Sequence, residues 1–278
     1  MASKKQRQRQ LARDAHERRL QRQVERDRRT KQWAVGAIVT VLVLGVAFGG
    51  AALAGVFKSP AKKPVAAASP SPSVTPAPTA TPGTVDGKCV YTKSGVAARK
   101  VNLPPATPDL TAAYQATIAT NRGDIVIDLN NNAAPCTVNS FVSLADQGFF
   151  TNTHCHRLTT IDPYVLQCGD PTGTGTGGPG YEFANEINSS QGTGGYVTYL
   201  PGTVAMANSG GTDTNGSQFF LVYRNSPLQP DYTPFGTIVS GLNIIQNVAK
   251  AGSDNSNGAG DGHPKEKVEI YSVTIKKT

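Results

Sequence analysis

Residues 113–129 read AYQATIATNRGDIVIDL, and this stretch decides the fold. Apolar and polar residues alternate over Ala113–Thr120 and again over Asp124–Leu129, the two-residue period of a half-buried strand. Asn121-Arg122-Gly123 between them is a turn signal, so the two runs read as a β-hairpin. Towards the C-terminus, Pro135 can open a helix whose apolar face is Val138, Phe141, Val142 and Leu144, with Gly148 to close it. Short strands are expected near 154–159, 164–168, 203–207, 217–223 and 234–239. Gly241 precedes a second helical pattern (Leu242, Ile245, Val248, Ala249), and an alternating run from Val268 to Ile275 ends the body. About eight strands and two helices, with no internal repeat, predict a mostly β barrel or sandwich.

Towards the N-terminus the chain changes character. The globular body is expected over 110–278, preceded by an irregular arm over 86–109 that contains Cys89 and the Pro104-Pro105 pair. Residues 58–85 are rich in Pro, Ala, Ser and Thr and cannot bury a core, so a disordered, extended spacer is expected. Residues 33–57 carry no charge, and as a helix would cover roughly 37 Å, enough to cross a hydrocarbon core. A cleaved signal peptide is the rival, with Ala52-Leu53-Ala54 as a cleavage site, but the apolar run exceeds the 7–15 residues of such a segment. Residues 1–32 form a basic tail with twelve Lys/Arg against four Asp/Glu. An excess of Lys/Arg on one flank places that flank in the cytoplasm. The expectation is a single-pass membrane protein with its N-terminus cytoplasmic and its folded domain outside.

The charge supports the same division. The 278-residue chain has a net charge of +8, and the tail alone accounts for it. The folded body is neutral, so a phosphate-gripping groove and a nucleic-acid partner are not expected.

Two motifs in the body invite readings that their context rejects. Gly173 to Gly178 contains a G-x-G-x-x-G spacing, but Pro179-Gly180 follows where a dinucleotide site needs a helix, so a mobile glycine loop is the better reading. His154, Cys155, His156 and Cys168 suggest metal ligands, yet no second ligand pair completes a set, and no metal or cofactor is expected. Four Cys in an exported domain imply up to two disulfides, with three possible connectivities. Cys155–Cys168 is preferred because the two would lie on neighbouring strands. Cys89–Cys136 would then staple the arm to the first helix. No G-x-S-x-G motif and no obvious carboxylate pair are present. The polar residues of the densest motifs are Arg157, Gln167, Asn208 and Gln218, which do not titrate near neutral pH and suit recognition of a peptide backbone.

Taken in order, several blocks resemble the cyclophilin family. They are His156-Arg157-Leu158, Gln167-Cys168-Gly169-Asp170, Gly173 to Gly178, Gly202 to Asn208, Asn215-Gly-Ser-Gln218-Phe219-Phe220 and Phe235-Gly236. The resemblance covers about residues 112–277, and with the tail, span and spacer the chain resembles membrane-anchored actinobacterial cyclophilins. It implies an eight-stranded antiparallel barrel capped by two α-helices, and peptidyl-prolyl cis–trans isomerase activity. It implies that Arg157 is the catalytic arginine, supported by Gln167, and that Ala207 and Asn208 hold the substrate backbone. Gln218 and the proline-pocket residue Phe220 follow by the same matching, with Tyr164, Val165, Leu228 and Tyr232 around the pocket. The chain departs from the family by two extra residues around Thr160-Ile161-Asp162. Pro227 falls near the position of a tryptophan important for cyclosporin binding in eukaryotic members. The expected substrates are Pro-containing segments of exported proteins, acted on by a monomer without covalent intermediate or cofactor. The alternative is a Pro-peptide binding or chaperone module without turnover.

Overall fold

The computed structural model describes residues 84–187, 195–211 and 213–277. The chain divides into two units, 1–72 and 73–278, and every described residue belongs to the second. The expected tail (1–32), membrane span (33–57) and all but the last two residues of the spacer lie outside the described residues. Among the described residues no helix is long and apolar enough to cross a membrane.

The strands are β1 (Thr84–Val85), β2 (Lys88–Cys89), β3 (Thr92–Lys93), β4 (Tyr114–Thr120), β5 (Gly123–Leu129), β6 (Thr153–His154), β7 (Arg157–Thr159) and β8 (Val165–Cys168). Then come β9 (Tyr181–Glu182), β10 (Val197–Tyr199), β11 (Thr203–Met206), β12 (Phe219–Val222), β13 (Ser226–Leu228), β14 (Pro234–Ser240), β15 (Asp261–Gly262) and β16 (Glu269–Lys277). The helices are α1 (Pro135–Asp146) and α2 (Leu242–Ala251).

Ten strands form one antiparallel sheet in the order β15-β7-β8-β12-β11-β14-β5-β4-β16-β6. The opening hairpin pairs in register from Tyr114 opposite Leu129 to Thr120 opposite Gly123. The sheet curls into a half-barrel, as the barrel fold expected for this family does, and it differs from the expected eight strands in two details. The expected strand 154–159 is split, so β6 pairs with β16 and β7 pairs with β8. The short β15 adds a further strand beside β7. The chain crosses the seam at Cys155-His156, where Cys155 donates to the Val268 carbonyl and His156 to that of Gln167.

The main core lies where the sheet meets the helices. Phe141 of α1 packs against Phe150, Phe219 and Phe235 with ring centroids 5.2, 5.6 and 5.3 Å away. Ile245 and Val248 bury the inner face of α2. Gly241, with φ of 90°, starts that helix where a Cβ would sit 2.5 Å from the Asp124 carbonyl oxygen. At the start of α1, Pro135 lacks the N–H that would otherwise be unpaired. The next two N–H groups, of Cys136 and Thr137, donate to the carboxylate of Glu186 at 2.9 and 2.7 Å. An anion at a helix N-terminus satisfies orphan donors and meets the positive end of the helix dipole.

The arm is bound along this body. Disulfide bonds join Cys89 to Cys136 and Cys155 to Cys168. Tyr91 donates to the Cys136 carbonyl, β3 pairs with β9, and Arg99 reaches the carbonyls of Phe149 and Thr151.

Candidate active site

Strand alternation builds the site. Leu158, Leu166, Cys168, Phe219, Leu221, Val204 and Met206 point into the main core. Their neighbours in sequence therefore point to the opposite face of the sheet. There Val165, Tyr199, Ala205, Phe220 and Val222 form a second apolar cluster, edged by Val197, Ala207, Leu228 and Tyr232. The register lines up the polar residues with this cluster. Arg157 lies opposite Gln167, Gln167 opposite Phe220, and Phe220 opposite Ala205, one row across four strands.

Side-chain hydrogen bonds run along the same face. Arg157 Nη1 donates to Gln167 Oε1 at 3.3 Å, and Gln167 Nε2 donates to Gln218 Oε1 at 2.8 Å. Gln218 Nε2 in turn donates to the carbonyls of Gly175 and Gly177, both at 3.0 Å. The glycine loop is thus tied to the site by hydrogen bonds. Asp170, fully buried, accepts from the backbone of Thr172, Thr174 and Gly177 and sets the loop's shape. A Cβ on Gly177 would lie 2.0 Å from Asp170 Oδ1, which is why glycine stands there.

The remaining site residues separate into those brought together and one that is not. The ring of Tyr232 meets that of Phe220 edge-on at 5.4 Å. Ala207 N–H donates to the Gln218 carbonyl, and Asn208 Nδ2 donates to the Asp231 carbonyl, so the Ala207-Asn208 segment is fixed beside the row. A cleft of about 470 Å³ adjoins it, lined by Gln167, Gly175, Ala207, Asn208 and Gln218 and also by Ser94–Val96 of the arm. Tyr164 does not join the pocket. It packs against the main core, with its ring 5.9 Å from Tyr223 and Arg224 placed 4.5 Å over it. It directly precedes Val165, so alternation turns it to the other face.

Sequence reasoning missed four residues of this cluster, Val197, Tyr199, Ala205 and Val222, and one charged partner. Val197 and Tyr199 reach the pocket from β10, which pairs with β13, and Tyr199 donates to the Tyr232 carbonyl at 2.7 Å. Their Val-Thr-Tyr pattern is a strand signal, but too short to stand out. Ala205 lies at the floor. The charged partner is Asp261, which accepts from Arg157 Nε at 2.8 Å and from Nη2 at 2.7 Å. This bidentate pair raises the Arg157 pKa and lowers that of Asp261.

The candidate metal ligands are used otherwise. Cys155 and Cys168 are bonded to each other, so neither offers a thiolate. His156 is buried next to the glycine loop, and burial lowers its pKa. Among the described residues no group of three or more His, Cys, Asp or Glu is placed to hold a metal.

A family model described as cyclophilin type peptidyl-prolyl cis-trans isomerase/CLD matches residues 115–275. The chain belongs to the cyclophilin family. It is similar to a probable peptidyl-prolyl cis-trans isomerase B of Mycobacterium leprae, 50% identical over 202 residues, covering 67% of this chain and 66% of the relative. The corresponding protein of Mycobacterium tuberculosis is 50% identical over 198 residues, with 67% and 63% covered. The chain therefore spans a little under two thirds of the length of these curated relatives. A crystal structure of a Cryptosporidium parvum cyclophilin type isomerase is 31% identical, with a TM-score of 0.51, covering 60% of this chain and 99% of that one. The arm over 86–109 lies outside the residues that match the cyclophilin model, yet its residues 94–96 border the cleft beside Asn208.

Proposed function

We propose that this cyclophilin is a peptidyl-prolyl cis–trans isomerase acting on X–Pro bonds of exported proteins, held at the membrane by residues 33–57 with its folded domain outside. The observation that carries the reading is the row Arg157-Gln167-Phe220, which sets a guanidinium beside an apolar cluster around Phe220. Family membership and the names of the curated relatives support the activity. Two disulfides suit an oxidising compartment outside the cytoplasm.

The mechanism follows from the barrier. Rotation about a peptide bond costs about 18–20 kcal/mol because amide resonance is lost. When the bond is twisted, the proline nitrogen becomes pyramidal and accepts a hydrogen bond it could not accept when planar. A donor from Arg157 at that nitrogen stabilises the twisted state selectively. Phe220, Val165, Leu228 and Tyr232 hold the proline ring, and the Ala207-Asn208 segment holds the backbone while the preceding carbonyl turns. An acceleration of 10⁴–10⁵ needs about 5.5–7 kcal/mol of differential stabilisation. A charged donor with fixed orientation is of that order, without covalent chemistry.

The test is X–Pro exchange in a short peptide, followed by exchange NMR with the full chain in detergent micelles. Acceleration that Arg157→Ala lowers at least 10-fold is the expected result. A folded protein that binds the peptide without accelerating exchange would replace this reading with a Pro-peptide binding module.

A further inference from the structure

We infer that Asp261 is a positioning residue, whose carboxylate fixes the Arg157 guanidinium in the orientation that meets the prolyl amide. The inference rests on the isomerase reading of the same site. Three of the five guanidinium donors have protein partners: Nε and Nη2 on Asp261, and Nη1 on Gln167. Two remain for a substrate. A free arginine side chain samples many rotamers, and each would have to be lost on forming the transition state. With two edges of the guanidinium already fixed, the remaining donors are aimed before substrate arrives, which is preorganisation. The pair is poorly suited to a role in stability alone, because its side chains are 40% and 26% exposed and water screens such pairs.

The carboxylate is itself held in place from two sides. Asp261 pairs in register with Thr159 on β7, two residues from Arg157. Asn257 Nδ2 also donates to its Oδ1 at 3.3 Å. The Thr160-Ile161 segment lies against the same loop. Thr160 N–H donates to the Gly260 carbonyl at 2.7 Å, and a Cβ on Gly260 would meet the Ile161 side chain at 2.6 Å. This segment thus buttresses the turn that delivers Asp261.

The experiment uses the full chain in detergent, with ¹⁵N spectra of the Arg157 side chain beside the kinetics. Asp261→Ala is expected to free rotation about the Arg157 guanidinium and to lower kcat at least 10-fold, with KM changed less than 3-fold. Asp261→Asn keeps one acceptor and is expected to fall between Asp261→Ala and wild type. It also carries the test if the alanine variant does not fold. In an Arg157→Ala background, Asp261→Ala is expected to change the residual rate less than 2-fold. Wild-type kcat in Asp261→Ala, an equal loss in both backgrounds, or an unchanged Arg157 spectrum would each overturn the positioning role. If the wild-type chain shows no catalysis, the isomerase reading fails. The spectra then report separately whether Asp261 fixes the guanidinium: release in Asp261→Ala shows that the contact holds without a catalytic role, and an unaffected guanidinium removes the contact as well.

Discussion

Arg157 and Phe220 stand two strands apart in one cross-strand row, with Gln167 as the residue between them. A charged donor and the apolar pocket wall are therefore held at a spacing set by backbone hydrogen bonds rather than by loop conformation. Neighbouring strands are about 4.7–4.9 Å apart, so this distance resists change by single surface substitutions.

The row separates two adjacent phenylalanines. Phe219 is fully buried in the main core and Phe220 faces the pocket. Phe219→Ala should cost about 3–5 kcal/mol of stability. Phe220→Ala should destabilise less, yet reduce X–Pro exchange catalysis at least 10-fold, or about 1.4 kcal/mol or more. Denaturant unfolding and exchange NMR on both variants check this, and equal effects of the two substitutions on both quantities would contradict the facing assigned to them.

Gln218 joins the site to the glycine loop. Gln218→Ala removes the acceptor of Gln167 and the donor to Gly175 and Gly177. The expected outcome is a several-fold loss of catalysis, together with faster amide exchange at Gly175 and Gly177. Hydrogen exchange with the loop unchanged would show that Asp170 alone fixes it.

Activity should be flat from about pH 6 to 8. Arg157 is raised above its already high value by Asp261, so it stays charged. Asp261 is lowered and stays ionised, and burial lowers His156, which stays neutral through most of this range. A sharp bell in kcat/KM within that interval would point to a titrating catalytic group.

Glu186 gives stability the opposite pH behaviour from an ordinary surface carboxylate. Burial raises its pKa, against the hydrogen bonds from Thr137 and Cys136. The folded state therefore holds its proton to higher pH than the unfolded state does. This group's contribution is fullest below its unfolded pKa and declines as pH rises through its folded value. Glu186→Ala should remove that dependence while leaving the N–H groups of Cys136 and Thr137 without their acceptor, at a cost of about 1–3 kcal/mol. Thermal unfolding of both proteins across pH 4–7 checks the sign.

The Cys89–Cys136 bond closes a separation of 47 residues. The chain-entropy relation gives about 4 kcal/mol for a loop of that size. Cys89→Ser should lower stability by up to that amount, measured by denaturant unfolding under oxidising conditions. It should also raise proteolysis near Tyr91 and Ser94, because the arm loses its covalent attachment.

Much of this was legible because it depends on local pattern. The hairpin 113–129, both helices and both disulfides follow from alternation, Gly and Pro placement and cysteine context. The family motifs also brought together Arg157, Gln167, Gln218 and Phe220. What was not legible depends on long-range contact or on strands of two or three residues. Asp261 lies 104 residues from Arg157 within a Gly- and Asn-rich turn that carries no periodicity. The break at Cys155-His156 is invisible in a run that reads as one strand, yet it lets that run pair with both ends of the sheet. Tyr164 packs with Tyr223 and Arg224 rather than within the Phe220 cluster, because matching by sequence order does not fix which face of the sheet a residue takes.

The arm also has a mechanical meaning. Tension arriving along the chain from residue 83 reaches Cys89 within a few residues. It then crosses to Cys136 at the start of α1 through a covalent bond. Residues 90–135, which include the hairpin of β4 and β5, lie off that load path. A domain pulled at its N-terminal end would thus carry the force in the disulfide and α1. The hydrogen-bonded ladder from β4 to β5 that anchors the sheet would be spared.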